Sequence, residues 1–165
     1  MARTALDGNP ANTSGDLPKI GSKLKDFKLV DKSLSSKSLN DFEGETLILN
    51  VFPSVNTGVC SASVRKFNEK ASQLKNTKVL CISKDLPFAQ QAFCAAEGLD
   101  NVMMLSDFRE SAFGKTNGLL LVDSAFEGLL ARCVIILDTD HTIKYIELVP
   151  EIAQEPDYEA ALKAL

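Results

Sequence analysis

Four cysteines, at positions 60, 81, 94 and 133, form no C-x-x-C pair, and a single histidine, His141, accompanies them. A structural zinc site draws on closely spaced Cys and His ligands, so none is expected. Positive charge is not in excess either. A formal net charge of −4 with 24% charged residues leaves no basic patch able to hold nucleic acid by counterion release. The stretch from Met1 to Pro10 lacks the apolar centre of a signal peptide, and no run approaches the ~18 apolar residues of a membrane helix. A cytoplasmic protein without membrane contact is the expectation. Internal repeats and low-complexity tracts are absent. In a reducing compartment, the thiols of such a chain are either buried or reactive.

At 165 residues and 45% hydrophobic content, a single domain over residues 1–165 with a sizeable core is expected. Residues 1–22, rich in Gly, Asn, Ser, Thr and Pro, read as an irregular extension or a weak hairpin. The stretch from Leu47 to Leu74 organises the rest. The apolar run Leu47-Ile48-Leu49-Asn50-Val51-Phe52 reads as a buried strand, and Pro53 to Gly58 reads as a turn feeding a helix. Beyond the turn, Cys60, Val64, Phe67, Ala71 and Leu74 recur on one helical face. Cys60 therefore belongs in the first turn of that helix, facing inward. There the unpaired backbone N–H groups and the positive end of the helix dipole favour a thiolate over a thiol. A buried core cysteine would need neither the preceding Thr57 nor the strand end shaped by Pro53.

Lys78 to Ser83 reads as a second buried strand, which makes a βαβ unit with parallel strands. Short strands are also expected over Phe27–Val30 and Val102–Leu105, a helical turn over Leu39–Gly44, and a short helix over Glu110–Lys115. Residues 33–38 read as a polar loop, and Leu119–Val122 falls between strand and loop. A helix opening at Pro87 runs to Gly98, with Phe88, Ala92, Ala95, Ala96 and Leu99 as its expected inner face. Cys94 then falls beside Gln90, Gln91 and Glu97, partly exposed. Ala131–Leu137 and Thr142–Glu147 read as a hairpin, and a terminal helix follows Pro156. The fold class is α/β, a central mixed sheet flanked by helices. Strand alternation puts Arg132 and Cys133 on opposite faces, so Cys133 reads as a structural thiol, as does Cys81 within its strand. Met103 and Met104 read as core filling. His141 sits in a turn without a partner for a Cys-His or Ser-His dyad.

The segment Pro53-Ser54-Val55-Asn56-Thr57-Gly58-Val59-Cys60 resembles the peroxiredoxin pattern of Pro, three residues, Thr or Ser, two residues and Cys. Val64-Arg65-Lys66-Phe67-Asn68, Leu80-Cys81-Ile82-Ser83, Asp85-Leu86-Pro87-Phe88-Ala89-Gln90, Phe93-Cys94 and Glu155-Pro156-Asp157-Tyr158-Glu159-Ala160 look like the bacterial thiol peroxidase branch. The similarity runs from about Gly21 to the carboxyl terminus. It implies a thioredoxin-like fold with Cys60 as the peroxidatic cysteine, oxidised by hydrogen peroxide or an organic hydroperoxide to a sulfenic acid. It assigns O–O polarisation to Thr57 and Arg132, shielding of the sulfur to Pro53, and resolution of the sulfenic acid as an intrachain disulfide to Cys94. Reduction by thioredoxin and a homodimer are implied as well, with no metal, haem or flavin cofactor. Two other readings use the same residues: a one-cysteine peroxidase served by an external thiol, and a redox sensor or relay in which the Cys60 and Cys94 pair signals to a partner. A thioredoxin-like module without activity fits poorly, since Pro53, Thr57, Cys60 and Arg132 are all present.

Overall fold

The computed structural model describes residues 1–165. Its strands are β1 (Arg3–Leu6), β2 (Asn9–Asn12), β3 (Leu29–Val30), β4 (Ser36–Lys37), β5 (Thr46–Val51), β6 (Thr77–Ser83), β7 (Val102–Ser106), β8 (Cys133–Leu137) and β9 (Ile143–Leu148). The helices are α1 (Gly58–Ala71), α2 (Pro87–Glu97), α3 (Ala112–Thr116) and α4 (Tyr158–Lys163), with a 3-10 turn over Leu39–Phe42. Seven strands form one mixed sheet in the order β4-β3-β7-β6-β5-β8-β9. The centre, β5, β6 and β7, is parallel; β8 runs antiparallel to β5 on one side and β3 antiparallel to β7 on the other. This is the central mixed sheet flanked by helices that the sequence implies.

Alternation along the central strands splits the core into two layers, because successive side chains leave opposite faces of a sheet. Leu47, Leu49, Val51, Leu80, Ile82, Leu105 and Cys133 pack on one face with Phe42 and Phe113. Ile48, Phe52, Cys81, Met104, Val134 and Ile136 pack on the other beneath Cys60, Val64 and Phe67 of α1 and Ala161 of α4. Cys133 thus lies across the sheet from Cys60, as the alternation predicts. Phe67 and Tyr158 meet edge to face at 5.2 Å, which joins α1 to α4.

The amino-terminal stretch forms a two-stranded antiparallel hairpin, β1 with β2. It lies against residues 149–152: the Ala5 N–H donates to the Pro150 carbonyl, the Ile152 N–H donates to the Ala5 carbonyl, and the Thr4 hydroxyl donates to the Val149 carbonyl. The Glu151 carboxylate takes the N–H groups of Asp7 and Gly8 at the hairpin turn and that of Ala153. These bonds hold its carboxyl below the usual range. A small cluster of Ala11, Leu121, Ala131 and Ile152 fills the space behind.

Two local expectations are corrected. The segment 33–38 contains β4, which pairs with β3 and completes the sheet edge. The buried face of α2 is also not the one that apolarity suggests. Phe88 is 64% exposed, and Ala92, Ala95 and Ala96 are exposed, whereas Pro87 and Gln90 are buried and Phe93 and Cys94 pack against the core. Leu99 alone of the expected set is buried. A polar side chain turns the helix: the Gln90 amide donates to the Ser83 hydroxyl at 3.1 Å and the Leu105 carbonyl at 2.9 Å. Burying a polar group is tolerable where it is hydrogen-bonded, and the two bonds from Nε2 hold Gln90 inward with Phe88 outward, although the buried Gln90 Oε1 has no partner. Residues 119–122 form no strand of the main sheet; they pair through isolated bridges, Leu121 to Thr13 and Leu120 to Leu130, with Leu119 and Leu121 buried in the core.

Candidate active site

Cys60 is the third residue of α1 and fully buried. The strand β5 ends at Val51, Phe52 keeps one further sheet bond to the Ile82 carbonyl, and Pro53 begins the turn. Thr57 has extended backbone angles and occupies the cap position of α1, but its hydroxyl does not cap the helix. It donates instead to the Ser54 carbonyl at 3.3 Å, which leaves its lone pairs free. Behind the cysteine, the Asn50 amide donates to the Ser63 hydroxyl, which in turn donates to the Cys60 carbonyl at 2.8 Å. The first turn of α1 is thereby fixed to β5.

Arg132, immediately before β8, is 1% exposed. Its Nη2 lies 3.1 Å from Cys60 Sγ, its Nε donates to the Ile152 carbonyl at 2.8 Å, and its buried Nη1 has no hydrogen-bond partner. The ion pairs of the chain all lie elsewhere, the closest in context being Arg65 with Glu97, between α1 and α2. Arg132 is thus a buried cation facing a sulfur, with one donor unspent. The geometry brings Arg132 to Cys60; Thr57 stands at the head of the same helix and Pro53 at the start of the turn that leads into it.

The other thiols differ in kind. All four cysteines are free. Burial pushes the Cys81 thiol up to about 12, only partly opposed by the Asn50 amide. Burial, reinforced by the Glu147 charge, pushes Cys133 up as well. Both are held in the neutral thiol form more firmly than an ordinary cysteine. Cys94 is half-buried on α2, its thiol raised by burial, lowered by the Lys32 charge and raised by Asp100. It lines an open cavity of about 430 Å³ together with Lys32, Gln91 and Leu99. His141 is remote in role, its ring meeting the Phe42 carbonyl at 3.3 Å. No three His, Cys, Asp or Glu side chains gather closely enough to hold a metal, and no helix is long and apolar enough to cross a membrane.

A sequence model of the Redoxin family matches residues 19–162. The chain is 56% identical over its whole length to a thiol peroxidase of Corynebacterium glutamicum, covering 99% of that protein. The chain belongs to the thiol peroxidase branch of the redoxin family. It is a peroxiredoxin enzyme. A thiol peroxidase of Mycobacterium tuberculosis is 52% identical over the same extent. The crystal structure of a peroxiredoxin-like protein from Aquifex aeolicus superimposes with a TM-score of 0.92 at 35% identity, covering 99% of this chain and 96% of that one.

Reading the thiol peroxidase from sequence alone passes over a second set of side chains. The Asp85 carboxylate accepts from the Ser54 hydroxyl at 2.7 Å, the Val55 N–H at 2.9 Å and the Ser83 hydroxyl at 2.6 Å. Its one signal is membership of the Asp85-Leu86-Pro87-Phe88 segment, which carries no periodicity. Tyr158 is the other, packed on Phe67 with its hydroxyl on Glu155.

Proposed function

We propose that this thiol peroxidase works as a thioredoxin-dependent, atypical two-cysteine enzyme with Cys60 as peroxidatic and Cys94 as resolving residue. The observation that carries the reading is the 3.1 Å approach of Arg132 Nη2 to Cys60 Sγ, with both residues buried. A guanidinium out of water is costly unless an opposite charge faces it, and an anionic sulfur supplies that charge.

The Cys60 sulfur attacks one oxygen of a hydroperoxide. The S–O bond forms as the O–O bond breaks, and the departing oxygen takes a proton to leave as water or an alcohol, so that sulfur is oxidised to sulfenic acid and the peroxide reduced. The unspent Arg132 Nη1 donates to the oxygen that gains charge, and the Thr57 hydroxyl orients the peroxide. Pro53, buried and without an N–H, keeps water from the sulfur. Cys94 then attacks the Cys60 sulfenic sulfur; the disulfide forms and water leaves. Thioredoxin dithiol returns both cysteines to thiols and becomes a disulfide itself. Hydrogen peroxide and organic hydroperoxides serve as substrates, the reductant places the protein in the cytoplasm, and the working form is a homodimer of a single domain spanning residues 1–165, the hairpin included.

Steady-state assay with thioredoxin, thioredoxin reductase, NADPH and cumene hydroperoxide tests the cycle. Sustained NADPH consumption that depends on thioredoxin is expected. Turnover with a small external thiol but not with thioredoxin would instead identify a one-cysteine peroxidase, and a single oxidation without turnover would identify a sensor or relay.

A further inference from the structure

We propose that Asp85 is a positioning residue for the peroxide step, holding the loop before Cys60 in its reactive shape and tying that loop to the helix that carries Cys94. This rests on Cys60 and Arg132 forming the peroxide site, as proposed above. Asp85 follows the end of β6, where the chain leaves the sheet beside the Pro53–Thr57 turn. One carboxylate oxygen takes the Ser54 hydroxyl, and the other takes both the Val55 N–H and the Ser83 hydroxyl.

The bonds to Ser54 matter because Ser54 shapes the rest of the turn. Its hydroxyl also accepts the Asn56 N–H at 3.2 Å, and its carbonyl accepts both the Thr57 N–H and the Thr57 hydroxyl. Asp85 therefore sets the place of Thr57 through one intermediate residue. On its far side the network continues: Ser83 also accepts from Gln90 Nε2, and Gln90 is four residues before Cys94 on the same face of α2. The Asp85 backbone carbonyl is held in turn by the Ser106 hydroxyl. Asp85 thus joins the peroxidatic loop and the end of β6 through its carboxylate, the end of β7 through its backbone carbonyl, and the root of α2 through Ser83.

The two halves of the cycle make opposite demands on such a junction. Reaction with peroxide needs the loop in a fixed geometry, since small misplacements of reacting groups cost large factors in rate. Disulfide formation requires Cys94, free and half-buried on α2, to reach Cys60 in the first turn of α1, and on this proposal α2 gives way to allow it. Loss of the carboxylate should therefore slow the first step and quicken the second. General damage to the fold would slow both.

The test uses full-length reduced Asp85→Asn and Asp85→Ala, with Arg132→Lys alongside. The chain has no tryptophan, so the phases are read by rapid quench, thiol alkylation and mass spectrometry. The second-order constant for sulfenic acid formation should fall on the order of 10-fold in Asp85→Ala, and less in Asp85→Asn, which keeps one acceptor oxygen. The first-order constant for disulfide formation should rise. If Asp85→Ala does not fold, Ser54→Ala removes a donor to Asp85 and carries the same expectation for the peroxide step, with disulfide formation unchanged because the Asp85–Ser83–Gln90 tie remains. An unchanged peroxide step with Arg132→Lys slowed, or equal slowing of both steps, overturns the role of Asp85. A wild-type peroxide step in Arg132→Lys as well overturns the site on which it rests.

Discussion

Arg132 touches Cys60 across 72 residues of sequence, with Nη2 at 3.1 Å from the sulfur, while its Nε is held by the carbonyl of Ile152. Two of its three nitrogens are thus committed, one to the Cys60 sulfur and one to a backbone carbonyl. The planar fork fixes where the third points. A lysine keeps the charge but cannot hold all three directions. Arg132→Lys should slow Cys60 oxidation by about 10²-fold, the scale of losing one transition-state donor, and leave reduction of the disulfide by thioredoxin largely intact. Rapid-quench oxidation of the reduced variant measures the first step; thioredoxin oxidation by the preformed disulfide measures the second.

Cys60→Ser should abolish peroxide consumption, because an alcohol supplies no anion at neutral pH. Cys81→Ser and Cys133→Ser should retain it, since both thiols are buried in strands away from the Arg132 fork. Each should lower stability by about 1–3 kcal/mol through burial of a hydroxyl, read from urea denaturation. Peroxidase activity near the wild-type level in Cys60→Ser would show that another thiol is the nucleophile.

Cys94→Ser should consume one equivalent of peroxide, stop at the sulfenic acid and become prone to overoxidation, which intact-mass measurement resolves. In the wild type, disulfide formation should loosen α2 unevenly. Gln90 pins the root of the helix, whereas Ala95, Ala96 and Glu97 are exposed and Gly98 closes it in a left-handed conformation. Hydrogen exchange on oxidation should therefore rise more over residues 91–98 than over 87–90. Equal exchange in reduced and oxidised protein across 86–98 would count against loosening of α2.

Alkaline pH should destabilise the fold through its silent thiols. Cys81 is raised to about 12 from an ordinary 9.0, and Cys133 is raised further in the same direction. Below pH 9 these thiols are protonated in both folded and unfolded chains and contribute no slope. Between about 9 and 12 the unfolded chain releases those protons and the folded chain does not, so stability falls by about 1.4 kcal/mol per thiol per pH unit. Urea midpoints measured from pH 8 to 11 should decline, and Cys81→Ala should decline less steeply than wild type. A parallel decline in Cys81→Ala would place its titration elsewhere.

The parts of this design that could be read from sequence are those written in local periodicity. The run from Leu47 to Phe52, the turn that follows and the spacing of Cys60, Val64 and Phe67 are a strand, loop and helix within one short stretch, and each element needs only its neighbours to be identified. Opposed faces for Arg132 and Cys133 follow from the pleat alone. The orientation of α2 was not legible, because its inward residue is a glutamine whose two acceptors, Ser83 and Leu105, belong to other strands. Asp85 was not legible as a junction for the same reason: three donors converge on one carboxylate that has no periodicity of its own. The Ile152 carbonyl has no side-chain identity to read at all.

The hairpin at residues 3–12 gives the site a birth order. Its first strand bonds Pro150 and Ile152, and Ile152 holds the guanidinium that faces Cys60. During synthesis at about 5–20 residues per second, Cys60 leaves the ribosome seconds before Arg132 and Ile152 exist to meet it. Until the earliest and latest stretches of the chain come together, the thiol has no buried cation beside it. A nascent chain therefore carries Cys60 without the buried guanidinium, and the full Cys60–Arg132–Ile152 arrangement can form only once residue 152 has been made.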